Sequence, residues 1–418
     1  MTDKNTPVDN QITVSFARQP IFDEKRQLWG YELFGVGNIE ATPSGFPEEE
    51  NVAITLASGA YVGLQQILDR GKKVVVNFNE KSILEKLPYA LPPVLAAVKV
   101  TEDMCIRPPA LEMLKRLKSD GYLIAVSQFS ANAAFDSLYR MADIISIEAS
   151  NQNEQQLTAM LEIARGYHIL LLASQVENPS EFNLCKDLGF SLFHGSFFKS
   201  PDKITTRKLS SIEISRFNLL GFIEKDQPDI AQLAKTIQTD VSMSFRLLAH
   251  LNSVAFGFSK KITSIHQAIL LLGWQKMKNW LRVVLLADMG KNKDAHELVL
   301  LSAQRSKFLE LIAQDHDYWG FDPNSLNLLG IFSLLDALLG LPMEEIVSHL
   351  PLENKMKAAL CREPNNEYLP LLQLSEYFEE AKWAEVEKML QQLNLNKQKV
   401  KAAFQTSTSW AGELDTFS

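Results

Sequence analysis

Val74-Val75-Val76-Asn77-Phe78 is a run of strand length in which apolar residues do not alternate with polar ones until the end. That is the pattern of a strand covered on both faces. Further runs repeat it: Val94 to Val100, Leu123-Ile124-Ala125-Val126, Ile144-Ile145-Ser146-Ile147, Ile169 to Ala173 and Ser191-Leu192-Phe193. Each is bounded by polar, Gly or Pro residues and followed by apolar residues at helical spacing, such as Ala110-Leu111-Leu114-Leu117. Strand and helix units in series call for parallel strands with helices on their faces, either as a barrel or as an open doubly wound sheet. No Gly-rich phosphate loop follows an early strand, which disfavours the nucleotide-binding open sheet. A (βα) barrel of about 200 residues, at the short end for that fold, is the expectation.

After Pro201 the strand signal ends. Ile204 to Ile223 reads as one long helix, and helical spacing continues to about Trp410 between breakers such as Asp322-Pro323, Leu341-Pro342, Leu350-Pro351 and Glu363-Pro364. The expected class is α/β plus all-α, with a barrel over residues 1–203 and a helical domain over 204–418, in which 204–223 is a linker or first helix.

Composition narrows the function classes. A chain of 418 residues has room for two or three domains. Its 42 Lys and Arg against 50 Asp and Glu leave a net charge of −8, so no global positive field draws it to nucleic acid or an anionic membrane. Cys105, Cys185 and Cys361 are far apart in sequence and match no zinc spacing, which suits a reducing compartment. With no polar-flanked apolar leader and no apolar run near 20 residues, a cytoplasmic protein outside the membrane is expected.

In a barrel the chemistry gathers at the carboxyl ends of the strands. The residues there are Glu32, Asn77, Lys99 with Glu102, Ser127 with Gln128, Ser146 with Glu148, Ser174 with Gln175 and Glu177, and His194.

At this level a resemblance becomes specific. Ala17-Arg18-Gln19-Pro20-Ile21-Phe22-Asp23 followed by Trp29-Gly30-Tyr31-Glu32-Leu33-Phe34 resembles the opening of EAL domains, a barrel family of cyclic di-GMP phosphodiesterases. Val76-Asn77-Phe78, Val100-Thr101-Glu102-Asp103, Ala142-Asp143-Ile144-Ile145 and His194-Gly195-Ser196-Phe197-Phe198 continue it in order. The resemblance implies two divalent metals held by acidic side chains and Asn, with a Lys near the attacking water. Glu32 and Asn77 match. Val36 stands for the signature's Arg, Lys99 for a metal-binding Glu, Ser127 and Gln128 for paired Asp, Ser146 for the Lys, Glu148 for an Asp, Ser174 for a Glu and His194 for a Gln.

Two dications about 4 Å apart need bridging carboxylates, and a lysine among them costs about 4 kcal/mol per pair of unit charges at that distance in a medium of dielectric about 20. The expectation is therefore a chain with no metal, no cofactor and no catalytic residue. Arg18, Gln19 and Glu32 are the candidate contacts to a nucleotide. Glu148 and Glu177 are expected to pair with Lys99 or with backbone amides.

The helical half resembles the HDOD domain through Asp240-Val241-Ser242-Met243-Ser244-Phe245-Arg246-Leu247-Leu248 and Ile262-Thr263-Ser264-Ile265-His266-Gln267-Ala268-Ile269, over roughly 205–340. That family is similar to HD phosphohydrolases without the His-Asp pair, and here Ser333-Leu334 stands in its place. His316-Asp317 is read as a loop dipeptide and not a metal pair. Phe256, Phe258, Lys276, Lys278 and Arg282 are the candidate partner surface.

The combined expectation is a non-enzymatic bacterial signalling protein working through protein partners, possible homo-oligomers included, in cyclic di-GMP-linked control of motility or biofilm. The alternatives are a metal-free cyclic di-GMP receptor and a residual phosphodiesterase.

Overall fold

The computed structural model describes residues 16–35, 71–103, 108–150, 154–200, 209–225, 273–290, 294–316 and 320–414, with a few isolated positions besides. Strands β1 (Phe16–Asp23), β2 (Leu28–Gly35), β3 (Lys73–Asn77), β4 (Ala96–Thr101), β5 (Leu123–Ser127), β6 (Ile144–Glu148), β7 (Leu170–Ser174) and β8 (Leu192–His194) close a barrel in chain order. From β2 to β8 every neighbour is parallel, as repeated strand and helix units require.

β1 departs from that rule and runs antiparallel to both β2 and β8. Its exit is the cause. The Asp23 carboxylate accepts from the backbone N–H groups of Lys25 and Gln27, each at 2.8 Å, and Arg26 sits at φ 57°. A turn this tight can only join antiparallel strands.

Helices α1 (Pro108–Ser119), α2 (Glu154–Arg165) and α3 (Pro179–Asp187) carry the chain between strands. They bury Leu114 and Leu117, Leu157 and Leu161, and Phe182 and Cys185 in the same core as the outward faces of the strands. The inward faces form a separate small core of Ile21, Val75, Ala97, Ala125, Ile144, Leu172 and Leu192. Side chains of a strand alternate between faces, so the next inward position lies two residues further toward the mouth. Those positions are Gln19, Asn77, Lys99, Ser127, Ser146, Ser174 and His194, and Glu32 completes the ring from β2, where it is paired with Gln19. An apolar plug therefore carries a ring with one polar side chain per strand.

Beyond the barrel follow α4 (Ser211–Ile223), α5 (Trp274–Met289), α6 (Ala295–Asp315), α7 (Pro323–Phe332), α8 (Leu369–Glu379), α9 (Trp383–Gln392) and α10 (Lys397–Leu414), with shorter helical turns between them. The expected helix from Ile204 is corrected at its start. Ser210 and Glu213 form a reciprocal capping box at 3.3 and 2.7 Å, so the helix begins at Ser211, and 201–208 lie outside the described residues. Asp322 caps α7 by accepting from Ser325 N–H at 2.8 Å, with Pro323 in the first turn, where a missing N–H costs nothing.

The helical core is built around Phe308, Phe378 and Phe404, whose ring centres lie 4.9 to 5.6 Å apart. α6 and α7 touch at Gly330, where a β-carbon would come within 2.4 Å of the Ser306 nitrogen. No helix among the described residues is long and apolar enough to cross a membrane.

Candidate functional site at the barrel mouth

Glu32 is the centre of the polar ring and only 1% exposed. Its Oε1 accepts from Lys99 Nζ at 2.7 Å and from Asn77 Nδ2 at 3.1 Å, and His194 Nδ1 stands 3.8 Å from Oε2. Burial pushes the Glu32 carboxyl up, but Lys99 and His194 with these hydrogen bonds outweigh it and hold the group below its ordinary value near 4.5. Burial likewise holds His194 below its ordinary value, against the pull of Glu32.

Glu32 Oε2 and His194 Nε2 are buried without a hydrogen-bond partner among the described residues. Buried polar atoms are nearly always paired, so two such orphans on neighbouring ring residues at a barrel mouth mark a place that a ligand or water completes.

The ring is the floor of a cavity of about 740 Å³. Its walls include Arg18, Gln19, Phe34, Gln128, Glu148, Gln175 and Glu177. Phe34 lies nearly parallel to the His194 ring, with centres 6.1 Å apart. Gln128 and Gln175, directly after β5 and β7, both hold left-handed backbone at φ 59° and 56°. Such conformations cost about 1–3 kcal/mol each for a side-chain-bearing residue and cluster at functional sites. After β8 the chain needs Gly195, at φ 147°, because a β-carbon there would stand 2.2 Å from the Val176 carbonyl oxygen.

The cavity thus gathers most of the positions that the sequence singles out. Ser127 and Ser174 donate to the carbonyls of Val100 and Ile147 at 3.2 and 3.3 Å. Ser146 is buried, and Glu148 accepts from the Ser150 hydroxyl at 3.1 Å, where Lys99 or a backbone amide was expected, while Lys99 turns to Glu32. Glu177 donates its backbone N–H to Glu181 at 2.8 Å. Glu102 does not line the cavity; it accepts from Ser130 N–H at 2.9 Å and from the Tyr139 hydroxyl. Val36 lies outside the described residues.

In the helical half the proposed partner surface is corrected. Lys276 is exposed, but Lys278 and Arg282 are 6% and 1% exposed, because both turn onto Glu224. Arg282 grips both Glu224 oxygens at 2.7 Å and also donates to Asn279, Asn324 and Asn327, while Lys278 reaches Glu224 at 2.8 Å. Helical spacing cannot tell a solvated face from one that meets a buried carboxylate. Phe256 and Phe258 lie outside the described residues. His316 caps α6: its ring bonds the Ile312 carbonyl at 3.0 Å and accepts from Asn396 N–H at 3.2 Å. Ser333 is taken up by Arg305, which donates to it at 3.1 Å.

Sequence reading missed the wall that the helical half supplies. Leu301, Glu379, Glu380 and Lys382 line the same cavity as the ring. Gln19 Nε2 donates to the Glu379 carbonyl at 2.9 Å, and Lys199 pairs with Glu379 at 3.1 Å and Glu380 at 3.4 Å. Tyr31 donates to Glu297 at 2.7 Å and Arg26 pairs with Asp294 at 3.4 Å beside this seam. Lys199 directly follows the His194 to Phe198 stretch, close behind β8; a charged turn near residue 380 carries no local signal.

The ring does not fit a pair of divalent cations as it stands. Its only carboxylate already holds a lysine at 2.7 Å, and among the described residues no three His, Cys, Asp or Glu side chains are grouped to hold a metal.

The HDOD domain model matches residues 210–318. The uncharacterized protein YuxH of Bacillus subtilis (strain 168) is 30% identical over 413 residues, 96% of this chain and 99% of its own. Cyclic di-GMP phosphodiesterase CdgJ of Vibrio cholerae is 28% identical over 411 residues, 97% of this chain and 94% of its own. Among solved structures, the manganese and cyclic di-GMP complex of Klebsiella pneumoniae BlrP1 at pH 9.0 is 21% identical, with a TM-score of 0.36 over 46% of this chain and 56% of that one. The expectation of a chain without enzymatic activity is overturned here, since a relative aligned along nearly its whole length is named as a phosphodiesterase.

Proposed function

The chain belongs to the EAL–HDOD family, and from that premise we propose that it is a cyclic di-GMP signalling protein whose barrel mouth is the dinucleotide site. The observation that carries this is the pair of unpartnered buried atoms, Glu32 Oε2 and His194 Nε2, at the floor of a cavity of about 740 Å³. A cavity of that size takes a compact anionic ligand of this class. Phe34 and His194 offer ring faces for a guanine base. Arg18, held over the Tyr31 ring at 5.0 Å, and the Glu32 and Gln19 edges line the same space. In this reading the helical half passes the bound state on to protein partners in the control of motility or biofilm, and its direct contacts with the mouth support that role.

Calorimetric titration of the full chain with cyclic di-GMP tests the site. Saturable binding is expected, abolished by Ser174→Trp, which fills the mouth, and weakened by Arg18→Ala. Cleavage to the linear dinucleotide is followed in the same samples with manganese or magnesium. Absence of binding at millimolar ligand, or binding indifferent to Ser174→Trp, overturns the proposal.

A further inference from the structure

Two charged systems meet where the helical half crosses the mouth, and they differ in one respect. Glu379 is fully committed: Arg305 grips both of its oxygens at 2.6 and 2.8 Å from within the helical half. Glu380 is not. Its Oε1 lies 3.4 Å from Lys199 of the barrel and its Oε2 lies 2.8 Å from Lys382 of the helical half. One carboxylate thus spreads its oxygens over two ammonium groups from opposite sides of the seam, as the free oxygens of a phosphodiester would.

All three side chains line the ligand cavity. Lys199 and Glu380 also line a second cavity of about 490 Å³, so Glu380 borders open space beyond the ligand cavity. Glu380 and Lys382 are 25% and 49% exposed, so their pairing is an exchangeable surface contact, not a fixed part of the core.

We propose that Lys199 and Lys382 form a phosphate subsite of the mouth, built from both halves and held by Glu380 until a phosphodiester of the ligand displaces it. The inference rests on the dinucleotide reading of the mouth and adds to it the regulation of that site. Displacement exchanges the Glu380 tie for one that runs through the ligand, while Lys199 keeps its 3.1 Å contact with Glu379, so the ligand adds a second bridge between barrel and helical half. Lys382 is then a ligand-contacting residue that the barrel alone does not supply. Glu380 is a competitor for the same place.

The test is the affinity of the full chain for cyclic di-GMP in the unmodified protein and in Glu380→Gln, Lys382→Ala and Lys382→Arg, with thermal unfolding run on each. Removing the competing charge tightens binding by about fivefold, and removing the ammonium weakens it by about as much. Lys382→Arg, which keeps the positive charge, loses less affinity than Lys382→Ala. A gain of affinity in Glu380→Gln is the decisive sign, because mere damage to the fold would weaken binding. If all four proteins bind with one affinity, the subsite is wrong and the reading of the mouth stands. If none binds, that reading falls and the subsite with it.

Discussion

Lys99–Glu32 in the barrel and Arg305–Glu379 in the helical half are both ion pairs whose carboxylate is almost wholly buried, yet they are finished differently. The guanidinium of Arg305 reaches both Glu379 oxygens, Ser333 at 3.1 Å and Glu376 at 3.5 Å, and Lys199 closes the outer side. At the mouth, Lys99 and Asn77 serve a single oxygen of Glu32 and leave the other, like His194 Nε2, without a hydrogen bond beside a cavity, with only His194 Nδ1 at 3.8 Å. A buried charge that is completely solvated by protein holds a structure together, whereas one left incomplete next to open space is arranged to receive something.

The sharpest way to break the comparison is to remove the cation from each pair. Arg305→Ala strands Glu379 in the interior and is expected to cost about 3–5 kcal/mol, read by denaturant or thermal unfolding. Lys99→Met leaves Glu32 beside a cavity that admits water, so the loss is smaller, about 1–3 kcal/mol. A loss at the mouth equal to that in the helical half would erase the distinction.

The mouth pair also carries a pH signature. With its folded value below the unfolded value near 4.5, Glu32 contributes stability that is present above that pH and is lost as pH falls through the folded value. In Lys99→Met the strongest lowering influence is gone while burial remains, so the carboxyl rises toward or past its ordinary value, and the stability lost on acidification shrinks or turns into a gain. Unfolding curves of both proteins between pH 3 and 7 check this; parallel curves would refute it.

Lys99→Glu sharpens the comparison from another side. It turns the cation facing Asn77 into a second carboxylate and is expected to tighten manganese binding by about tenfold or more, measured calorimetrically. The smallest effect belongs to Ser174→Ala, whose hydroxyl only returns to a neighbouring strand carbonyl at 3.3 Å; a change within about 1 kcal/mol is expected in thermal unfolding.

Much of the barrel is legible in the sequence because strands buried on both faces become unbroken apolar runs, as in Val74 to Val76 or Leu123 to Val126. The same continuity hides which face looks inward, so the division into plug and polar ring appears only once the barrel closes. The antiparallel β1 was illegible for a related reason: a turn of a few polar residues, Asp23 to Gln27, sets its direction, and nothing in the apolar pattern records it.

The candidate site was half legible. Glu32, Asn77, Lys99, Ser146 and His194 sit at strand ends and were found by position. Glu380 and Lys382 reach the mouth from across the chain, where a charged turn looks like any solvated corner. Lys278 and Arg282 show the converse error, a basic helix face that turns inward because Glu224 waits there.

The plug of Ile21, Val75, Ala97, Ala125, Ile144, Leu172 and Leu192 has one more consequence. It seals the lower end of the barrel, so the vestibule above it is a cul-de-sac. Whatever enters must leave by the same doorway, and the helical half stands across that doorway. An occupant passes residues of both halves on the way in and out, so changes on the helical side, at Glu380 or Lys382, can alter its exchange without touching the barrel.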